Sequence, residues 1–377
     1  MEAKKSTKNS SLISHPSSIL IYGNGGETTM LHFANAEGKE WMVPLEGIKT
    51  GLLLYQPSGW KGHLIKRMMP LLGRWGWGRR LMHVKKTQGV LNEEICKTIG
   101  KALGMSGFEH AIFFGTPCTD QKVTIQVAKD DRVMGYCKVS ESERIGKKFF
   151  EEAQLLCELN EKGMKGIPKA LACGNTENGF YYFVQSTTKS LQSTFPHEWG
   201  DKQEKFEKDL HERTRVTMPY EKTDFCRAIE GLKQRMSWLT IEQQQTVKKA
   251  IDKIELHYKG KTAEWSVYHG DFTPWNTFVD DGQLFVFDWE YALRSCPPEL
   301  DKHHWSTQTW IFEKHYSAEK MSEEYHKKLA NSNIFSYLCY LIVTIATYLG
   351  REEKPEDVEN ITLLDTWTGL IKQIIKG

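Results

Sequence analysis

The chain of 377 residues lacks the features that define several common classes of protein. It contains no CxxC pair, no Cys/His cluster at zinc spacing and no low-complexity tract, and its eight cysteines are widely scattered. These absences argue against a disulfide scaffold or a structural zinc site, and they predict reduced thiols in a cytoplasmic protein. Hydrophobic content of 40% and charged content of 26% are typical of a globular protein with a sizeable core.

Long hydrophobic runs are also scarce. The N-terminal run "ILIY" at 19–22 is too short for the apolar core of a secretory signal. The most apolar stretch, 334–350, is short for a membrane span and is interrupted by Ser, Thr and Tyr. We therefore expect a core helix there and not a transmembrane segment.

The net charge of +2 conceals an uneven distribution. Residues 1–90 hold 13 Lys/Arg against 5 Asp/Glu, a net of +8, and residues 91–189 hold 13 of each. Residues 190–377 hold 24 basic and 30 acidic residues, a net of −6. We predict three segments with these bounds: a basic N-terminal extension, a neutral middle domain and an acidic C-terminal domain.

Hydrophobic periodicity assigns a different structure to each segment. In the first segment, residues 17–23 and 29–45 alternate apolar and polar residues on either side of the turn signal "NGGE" at 24–27, which indicates short strands. Strand patterns continue through 111–140, and helical spacing follows at 142–160. From residue 191 the pattern is mostly helical. This order predicts an α+β protein with a small strand-rich part and a larger helical part.

Two short sequences carry the chemistry. "HGDFTPWN" at 269–276 places His269, Asp271 and Asn276 at the spacing H-x-D-x-x-x-x-N, and "FVFDWEYA" follows at 285–292 with Asp288 after an apolar strand. Phosphoryl transfer needs an Asp for the acceptor hydroxyl, oxygen ligands for a metal and cations for the phosphates. A lone H-x-D-x-x-x-x-N arises often by chance, whereas the pair of motifs is more specific.

Together these motifs resemble the aminoglycoside phosphotransferase and choline kinase-like family, over about residues 108–310. The resemblance implies a protein-kinase-like two-lobed fold, with a small β-rich N-lobe at 91–189, a larger helical C-lobe at 190–377, and residues 1–90 as an extra strand-rich basic segment. It also implies a small-molecule kinase that uses Mg²⁺ and ATP, or another nucleoside triphosphate.

The resemblance assigns roles within the two motifs. Asp271 would accept or orient the acceptor hydroxyl, and Asn276 and Asp288 would hold Mg²⁺, which prefers oxygen ligands. We expect His269 to be a structural hydrogen-bonding residue of the loop and not an acid or base. Glu290 is a candidate supporting residue of the metal site, with a solvated charge at a loop start as the alternative.

Upstream, the resemblance implies a phosphate-binding pair and a nucleotide-binding strand. Lys138 would reach the α- and β-phosphates, and Glu152 would orient it, with the neighbouring Glu151 expected to be a solvated helix charge. The adenine would lie against "FVQST" at 183–187, which makes Gln185 and Thr187 candidate nucleotide contacts.

The chain departs from the protein-kinase pattern in two places. The loop that the resemblance assigns to covering the phosphates, "GTPCTDQ" at 115–121, has one Gly instead of a G-x-G-x-x-G run. Gly270 replaces the Arg of H-R-D, and only nine residues separate Asp288 from Pro298. A long activation loop does not fit there, so a small substrate is favoured over a protein.

The segment after the metal strand supplies four candidate acceptor contacts: Asp301, His303, His304 and Trp305. For Asp301, a role in anchoring the C-lobe is the favoured alternative. The predicted acceptor is a hydroxyl of a sugar, amino-sugar or amino-alcohol, with bacterial envelope glycan synthesis as one context. The alternatives are an antibiotic-modifying phosphotransferase and a kinase-fold binding or scaffold protein with little catalysis. A protein kinase is disfavoured by the departures above.

Residues 61–86 hold eight Lys or Arg, no carboxylate, and several Trp, Leu and Met. Such a composition suits contact with an anionic membrane surface, through a short helix plus loop because Pro70, Gly73, Gly76 and Gly78 interrupt the segment. The alternative is a basic surface segment whose Trp side chains pack on the N-terminal strands. No RNP-like or zinc-finger pattern supports nucleic-acid binding.

Overall fold

The structure is a computed structural model, and it describes residues 20–21, 28–36, 38–57, 59–115, 121–328, 333–360 and 363–376. Its contacts divide the chain into two units. The first unit comprises Met1–Ala153 with Ala170–Leu191, and the second comprises Gln154–Lys169 with Gln192–Gly377. A sheet dominates the first and helices dominate the second, so the predicted α+β class is confirmed.

The first unit is built on one antiparallel sheet of nine strands, in the order β1-β4-β2-β3-β5-β6-β7-β9-β8. The strands are β1 (Leu20–Ile21), β2 (Thr28–Ala34), β3 (Glu40–Pro44), β4 (Lys85–Leu91), β5 (Glu109–Phe114), β6 (Val123–Lys129), β7 (Arg132–Ser140), β8 (Ala170–Asn175) and β9 (Tyr181–Ser186). β3 pairs with β5, with Trp41 opposite Phe113. The strands of the basic N-terminal segment therefore extend the same sheet that holds β5 to β9.

Five helices accompany this sheet in the part of the chain that is described: α1 (Ile48–Gly51), α2 (Trp60–Leu72), α3 (Gly76–Leu81), α4 (Glu93–Leu103) and α5 (Glu143–Glu161). Asn92 caps α4 by accepting a hydrogen bond from the Glu94 amide, and Gly104 ends it in the left-handed conformation. The basic segment forms the short helices α2 and α3, and Pro70 lies in the last turn of α2. A strand pattern therefore does not extend through this part of the N-terminal segment.

The second unit contains two small sheets and seven helices among its described residues. The strands are β10 (Val216–Pro219), β11 (Thr262–Tyr268), β12 (Thr277–Asp280), β13 (Gln283–Val286) and β14 (Leu293–Cys296). The helices are α6 (Asp201–Thr214), α7 (Asp224–Gln234), α8 (Ile241–Tyr258), α9 (Leu300–Phe312), α10 (Ala318–Lys328), α11 (Ile334–Arg351) and α12 (Leu364–Lys376). β11 pairs with β10 and β14, and β12 and β13 form a hairpin.

Helix α11 is the apolar stretch for which a core position was expected. By length and composition it is the one helix among the described residues that would be able to cross a membrane, and 67% of it is buried inside the structure. It contacts α7, α8, α9 and α12 and contributes an unbroken run of buried side chains to the core of the second unit. Its apolar character is thus accounted for by packing within the unit.

We predict that Leu341→Ala in α11 destabilises the protein by about 2–5 kcal/mol, because Leu341 is fully buried and its removal leaves a cavity. Leu256 in α8 is 85% exposed and is the matched control. Leu256→Ala should change the free energy of unfolding by less than about 0.5 kcal/mol. Urea denaturation of the three proteins measures both effects, and equal losses would contradict the assignment of α11 to the core.

Candidate active site

The motif at 269–276 forms the loop between β11 and β12, and its first residue, His269, organises the loop backbone. The His269 ring is fully buried. Its Nδ1 accepts a hydrogen bond from the Asp271 amide at 3.1 Å, and its Nε2 lies 3.2 Å from the carbonyl oxygen of Phe287. The proton therefore sits on Nε2, and the ring joins this loop to the segment after β13. These contacts are those of a structural residue.

Gly270 is required by the close approach of another backbone segment. Its φ is +82°, in the left-handed region that glycine adopts without strain. A Cβ added at this position would lie 2.3 Å from the carbonyl oxygen of Tyr291. No larger side chain fits, which explains in physical terms why the Arg of the protein-kinase pattern is replaced here.

Asp271 is held through both carboxylate oxygens. The Asn276 side chain donates from Nδ2 to Oδ2 at 2.7 Å and to the Asp271 carbonyl at 3.0 Å. His304 Nε2 lies 3.2 Å from Oδ1, and it donates this hydrogen bond because a carboxylate oxygen only accepts. The Asp271 side chain is still 30% exposed, so its remaining lone pairs are accessible to a substrate hydroxyl.

His304 is fixed in turn by Tyr268. The Tyr268 hydroxyl lies 3.2 Å from His304 Nδ1, and both residues are buried. Burial raises the pKa of Tyr268 well above its usual value, so the phenol keeps its proton and is available as a hydrogen-bond donor beside Nδ1. The result is a hydrogen-bonded chain from Tyr268 through His304 to Asp271.

One face of helix α9 holds the loop at three consecutive points. Asp301, at the start of the helix, accepts a hydrogen bond from the His269 amide at 2.9 Å. One turn later, His304 reaches Asp271, and Trp305 packs edge-on against Phe272 with ring centroids 5.6 Å apart. Burial raises the pKa of Asp301 to about 7, although hydrogen bonds from the loop backbone oppose this shift.

This geometry corrects the expectation that the α9 residues contact the acceptor. His303 is fully buried, surrounded by Tyr325, Tyr337 and Tyr340, and neither ring nitrogen has a hydrogen-bond partner among the described residues. Trp305 is also buried, between Phe272 and Trp199. Asp301, His304 and Trp305 support the loop, as was the favoured alternative for Asp301, and His303 belongs to the helical core.

Asp288 lies just after β13 and is half-buried, with φ at +68°. A non-glycine residue in this conformation is strained, and such strain is found most often at functional sites. Phe287 donates its amide to the Asn276 carbonyl at 3.1 Å, which ties this segment to the catalytic loop. Glu290, two residues after Asp288, is also half-buried.

The predicted metal ligands suit a hard cation. The N–H groups of Asn276 point to Asp271, which leaves the amide oxygen for a cation, and Asp288 adds a carboxylate. The described residues contain no group of three or more His, Cys, Asp or Glu able to hold a metal ion. In proteins, Mg²⁺ is commonly bound by one or two oxygen ligands from side chains, and substrate phosphates and water complete its coordination. The donor set therefore fits Mg²⁺.

In the first unit, Lys138 of β7 and Glu152 of α5 form a buried ion pair. Lys138 Nζ lies 2.9 Å and 2.7 Å from the two carboxylate oxygens, and both side chains are almost completely buried. Glu151 points to solvent, since a neighbouring residue on a helix is rotated by about 100°. The helix register thus pairs Lys138 with Glu152, as the sequence pattern suggested.

The candidate nucleotide contacts lie at the end of β9. Gln185 is buried on this strand, opposite Tyr136 of β7, and its Oε1 has no hydrogen-bond partner among the described residues. Thr187 follows the strand and accepts a hydrogen bond from the Lys189 amide at 3.1 Å. Of the predicted phosphate-covering loop, residues 116–120 lie outside the described residues.

The sequence interpretation missed one cluster close to Asp271. The Arg351 guanidinium at the end of α11 stacks on Tyr291 at 3.7 Å and on Tyr348 at 4.2 Å. Burial raises the pKa of Tyr348, and the nearby charge of Asp271 adds to this effect. No motif marks Arg351 and Tyr348, which lie far along the chain from Asp271.

Comparison with known proteins agrees with this geometry. Residues 167–297 match the model of the phosphotransferase enzyme family. A thermostable mutant of aminoglycoside phosphotransferase APH(4)-Ia, in ternary complex with AMP-PNP and hygromycin B, aligns with a TM-score of 0.51 and 14% identity, over 75% of this chain and 98% of that chain. A crystal structure of APH(4)-Ia aligns with a TM-score of 0.50 and 13% identity, over 75% and 98%. No curated protein sequence matches the chain.

The expected resemblance is thereby confirmed. The matched residues include the whole catalytic loop and Asp288, and the structural likeness shows the protein-kinase-like fold. The prediction of a phosphotransferase is confirmed through the family match, and the roles of single residues stay predictions.

We predict that His304→Leu lowers kcat about 10- to 100-fold with little change in the nucleotide KM. Asp271 Oδ1 would lose a hydrogen bond to a charged group, about 1.5–3 kcal/mol. His304→Gln should recover most of the rate, because its side-chain amide places an N–H near the position of Nε2. His303→Leu is the control on the same helix, with no contact to Asp271. Steady-state kinetics would reject this positioning role if Leu and Gln at 304 behaved alike.

His303 generates a prediction about pH. Burial, and to a smaller extent the charge of Lys302, lowers its pKa to about 3 from the usual 6.5. Between these values the unfolded chain binds a proton that the folded protein does not bind, so stability is lost as the pH falls below 6.5. We expect the free energy of unfolding of His303→Leu, measured relative to that of the parent, to increase by about 2 kcal/mol from pH 7 to pH 5, because only the parent loses stability in this range. A constant difference between the two proteins would contradict this.

Proposed function

We propose that this chain, whose residues 167–297 match the phosphotransferase enzyme family, transfers the γ-phosphate of ATP to a hydroxyl group of a small molecule. The observation that carries the proposal is the way in which the Asp271 carboxylate is held and exposed. Its carboxylate is fixed through both oxygens by buried or nearly buried partners, yet the side chain stays accessible. A carboxylate that is held in one orientation and exposed to substrate suits a group that positions a nucleophile.

In the proposed reaction, Asp271 accepts a hydrogen bond from the acceptor hydroxyl and takes its proton as the acceptor oxygen bonds to the γ-phosphorus. The bond between the γ-phosphorus and the bridging oxygen breaks, and ADP leaves with that electron pair. Lys138 binds the nucleotide phosphates, and Glu152 holds its ammonium group in place. Positioning and electrostatic stabilisation supply most of the rate enhancement in such transfers.

Asn276 and Asp288 would hold Mg²⁺, which neutralises phosphate charge in reactions of this class. The nucleotide assignment is supported by the APH(4)-Ia structure, which is a complex with AMP-PNP and hygromycin B. Gln185 and Thr187 are the proposed contacts of the base, and the buried Oε1 of Gln185 supplies an acceptor there.

A small acceptor is supported by the segment after Asp288. Within a few residues the chain enters β14, which pairs with β11. Gly270 leaves no space for the Arg that receives an activation-loop phosphate in protein kinases. This segment is therefore part of a small sheet, and a sugar, amino-sugar or amino-alcohol is a more suitable acceptor than a protein.

Two other functions have specific observations for or against them. An antibiotic-modifying phosphotransferase is favoured by the likeness to APH(4)-Ia, crystallised with hygromycin B. A kinase-fold scaffold with little catalysis is disfavoured, because Asp271, Asn276, Asp288 and the Lys138–Glu152 pair are all present. ATP consumption by the purified protein against a panel of sugars, amino-sugars, amino-alcohols and aminoglycosides separates these functions, since a scaffold would turn over none of them.

We predict that Asp271→Asn lowers kcat about 10²- to 10⁴-fold with a much smaller effect on nucleotide binding, because an amide does not take the proton of the acceptor hydroxyl and accepts from only one of Asn276 and His304. Asp288→Asn should instead weaken Mg²⁺-dependent nucleotide binding. Asp281→Asn is the control: Asp281 is an exposed turn residue with φ at +46°, which Asn also tolerates. Calorimetric nucleotide titration with and without Mg²⁺, together with turnover, measures all three. Unchanged turnover in Asp271→Asn would refute the proposed site.

A further inference from the structure

Helix α2 has two apolar faces, and the described part of the chain covers only one of them. Its inward face carries the buried Met69, with Ile65, Met68 and Leu72 packed against the core under β2 and β3. Its outward face carries Trp60, Leu64 and Leu71, which are 73%, 47% and 73% exposed. A surface helix of a globular protein ordinarily has a polar outward face, so this arrangement requires an explanation.

The outward residues form one stripe and are not scattered. Trp60, Leu64, Arg67 and Leu71 follow the spacing i, i+4, i+7, i+11, which keeps them on one side of the helix. The short helix α3 repeats the pattern, with Trp77 and Leu81 at i, i+4 and each more than 60% exposed. Trp75, between the two helices, is equally exposed. The alternative that these Trp side chains pack on the N-terminal strands is therefore wrong.

The charge around this stripe has one sign. No Asp or Glu occurs between Glu46 and Glu93. The side chains of Lys61, Arg67, Arg74 and Arg80 are exposed, and none of them forms an ion pair with a described residue. Lys66 does not belong to this surface, since its ammonium group turns inward to the Tyr55 carbonyl. We call Trp60, Leu64, Arg67 and Leu71, with Arg74, Trp75, Trp77, Arg80 and Leu81, the docking face.

We propose that the docking face binds the surface of an anionic lipid bilayer. Arg and Lys side chains meet anionic headgroups there, while Trp and Leu side chains enter the boundary between headgroups and acyl chains. The docking face presents both kinds of side chain together, on two short helices that lie beside each other in the chain.

Other partners fit this surface less well. A second copy of the chain would bring the same unpaired cations together, and their repulsion opposes association through this face. Nucleic acid would satisfy the cations and stack on Trp, but its phosphates offer no contact to Leu64, Leu71 or Leu81. Only an anionic bilayer accommodates the aliphatic, aromatic and cationic side chains at once.

The test is co-sedimentation of the full chain with phosphatidylcholine vesicles, with and without phosphatidylglycerol. The protein should sediment with the anionic vesicles and, at most weakly, with the neutral ones, and added salt should reduce binding. Arg74→Glu/Arg80→Glu should lower the vesicle partition coefficient about tenfold or more, since two headgroup attractions become repulsions. Trp77→Ser/Leu81→Ser should also lower it about tenfold, through loss of the apolar contact.

Each variant has a matched control elsewhere on the surface. Lys249→Glu/Lys253→Glu makes the same change of net charge on exposed positions of α8, and Ile241→Ser/Leu256→Ser removes two equally exposed apolar side chains. Both controls should bind anionic vesicles like the parent. The proposal is overturned if the parent binds neither kind of vesicle or binds both equally. It is also overturned if the controls lose as much binding as the variants. Binding of single-stranded RNA or of a second copy of the chain through the docking face, without binding of vesicles, would overturn it as well.

Discussion

The geometry of the catalytic loop depends on its attachment to helix α9. Asp301, His304 and Trp305 project from one side of that helix and contact, in order, the backbone of His269, the carboxylate of Asp271 and the ring of Phe272. A loop of eight residues has little rigidity of its own, because each residue retains considerable backbone freedom. Three contacts from a packed helix remove that freedom, so Asp271 is positioned by the helical core and not by the loop alone.

Positive φ angles in the loop segments and a buried charge in the first unit are likewise accompanied by local contacts. Gly270 and Asp288 both have positive φ, and the loop residues between them are held by hydrogen bonds and buried rings. In the first unit, the Glu152 carboxylate is fully buried and would be destabilising without the ammonium group of Lys138. In both units, candidate site residues are thus held by partners of opposite polarity, Asp271 by Asn276 and His304, and Lys138 by Glu152.

The residues expected to carry the chemistry were easier to recognise in the sequence than the residues that hold them in place. The spacing of Asp271, Asn276 and Asp288 is a local property that a single sequence shows, whereas their roles and the pairing of Glu152 with Lys138 were implied by the family resemblance. The role of His304 depends on which way α9 faces. His304 lies three residues after Asp301, which was the expected anchor of the C-lobe, and residues at this spacing share one face of a helix. The spacing therefore indicated that His304 supports the loop as Asp301 does, although His304 was interpreted as an acceptor contact. Arg351 and Tyr348 come from the far end of α11, and only tertiary packing brings them near Asp271.

The N-terminal segment shows the same limit at the level of the fold. Alternation correctly indicated strands at β2 and β3, but it did not indicate β4 and does not reveal that these strands join one sheet with β5 to β9, because strand pairing is non-local. Composition likewise does not distinguish a buried Trp from an exposed one. The four fully buried Trp side chains all lie in the second unit, whereas Trp60, Trp75 and Trp77 are exposed on α2, α3 and the turn between them. Helix α2 exposes one apolar face because its other face already fills the space against the sheet, and the described residues leave Trp60, Leu64 and Leu71 exposed.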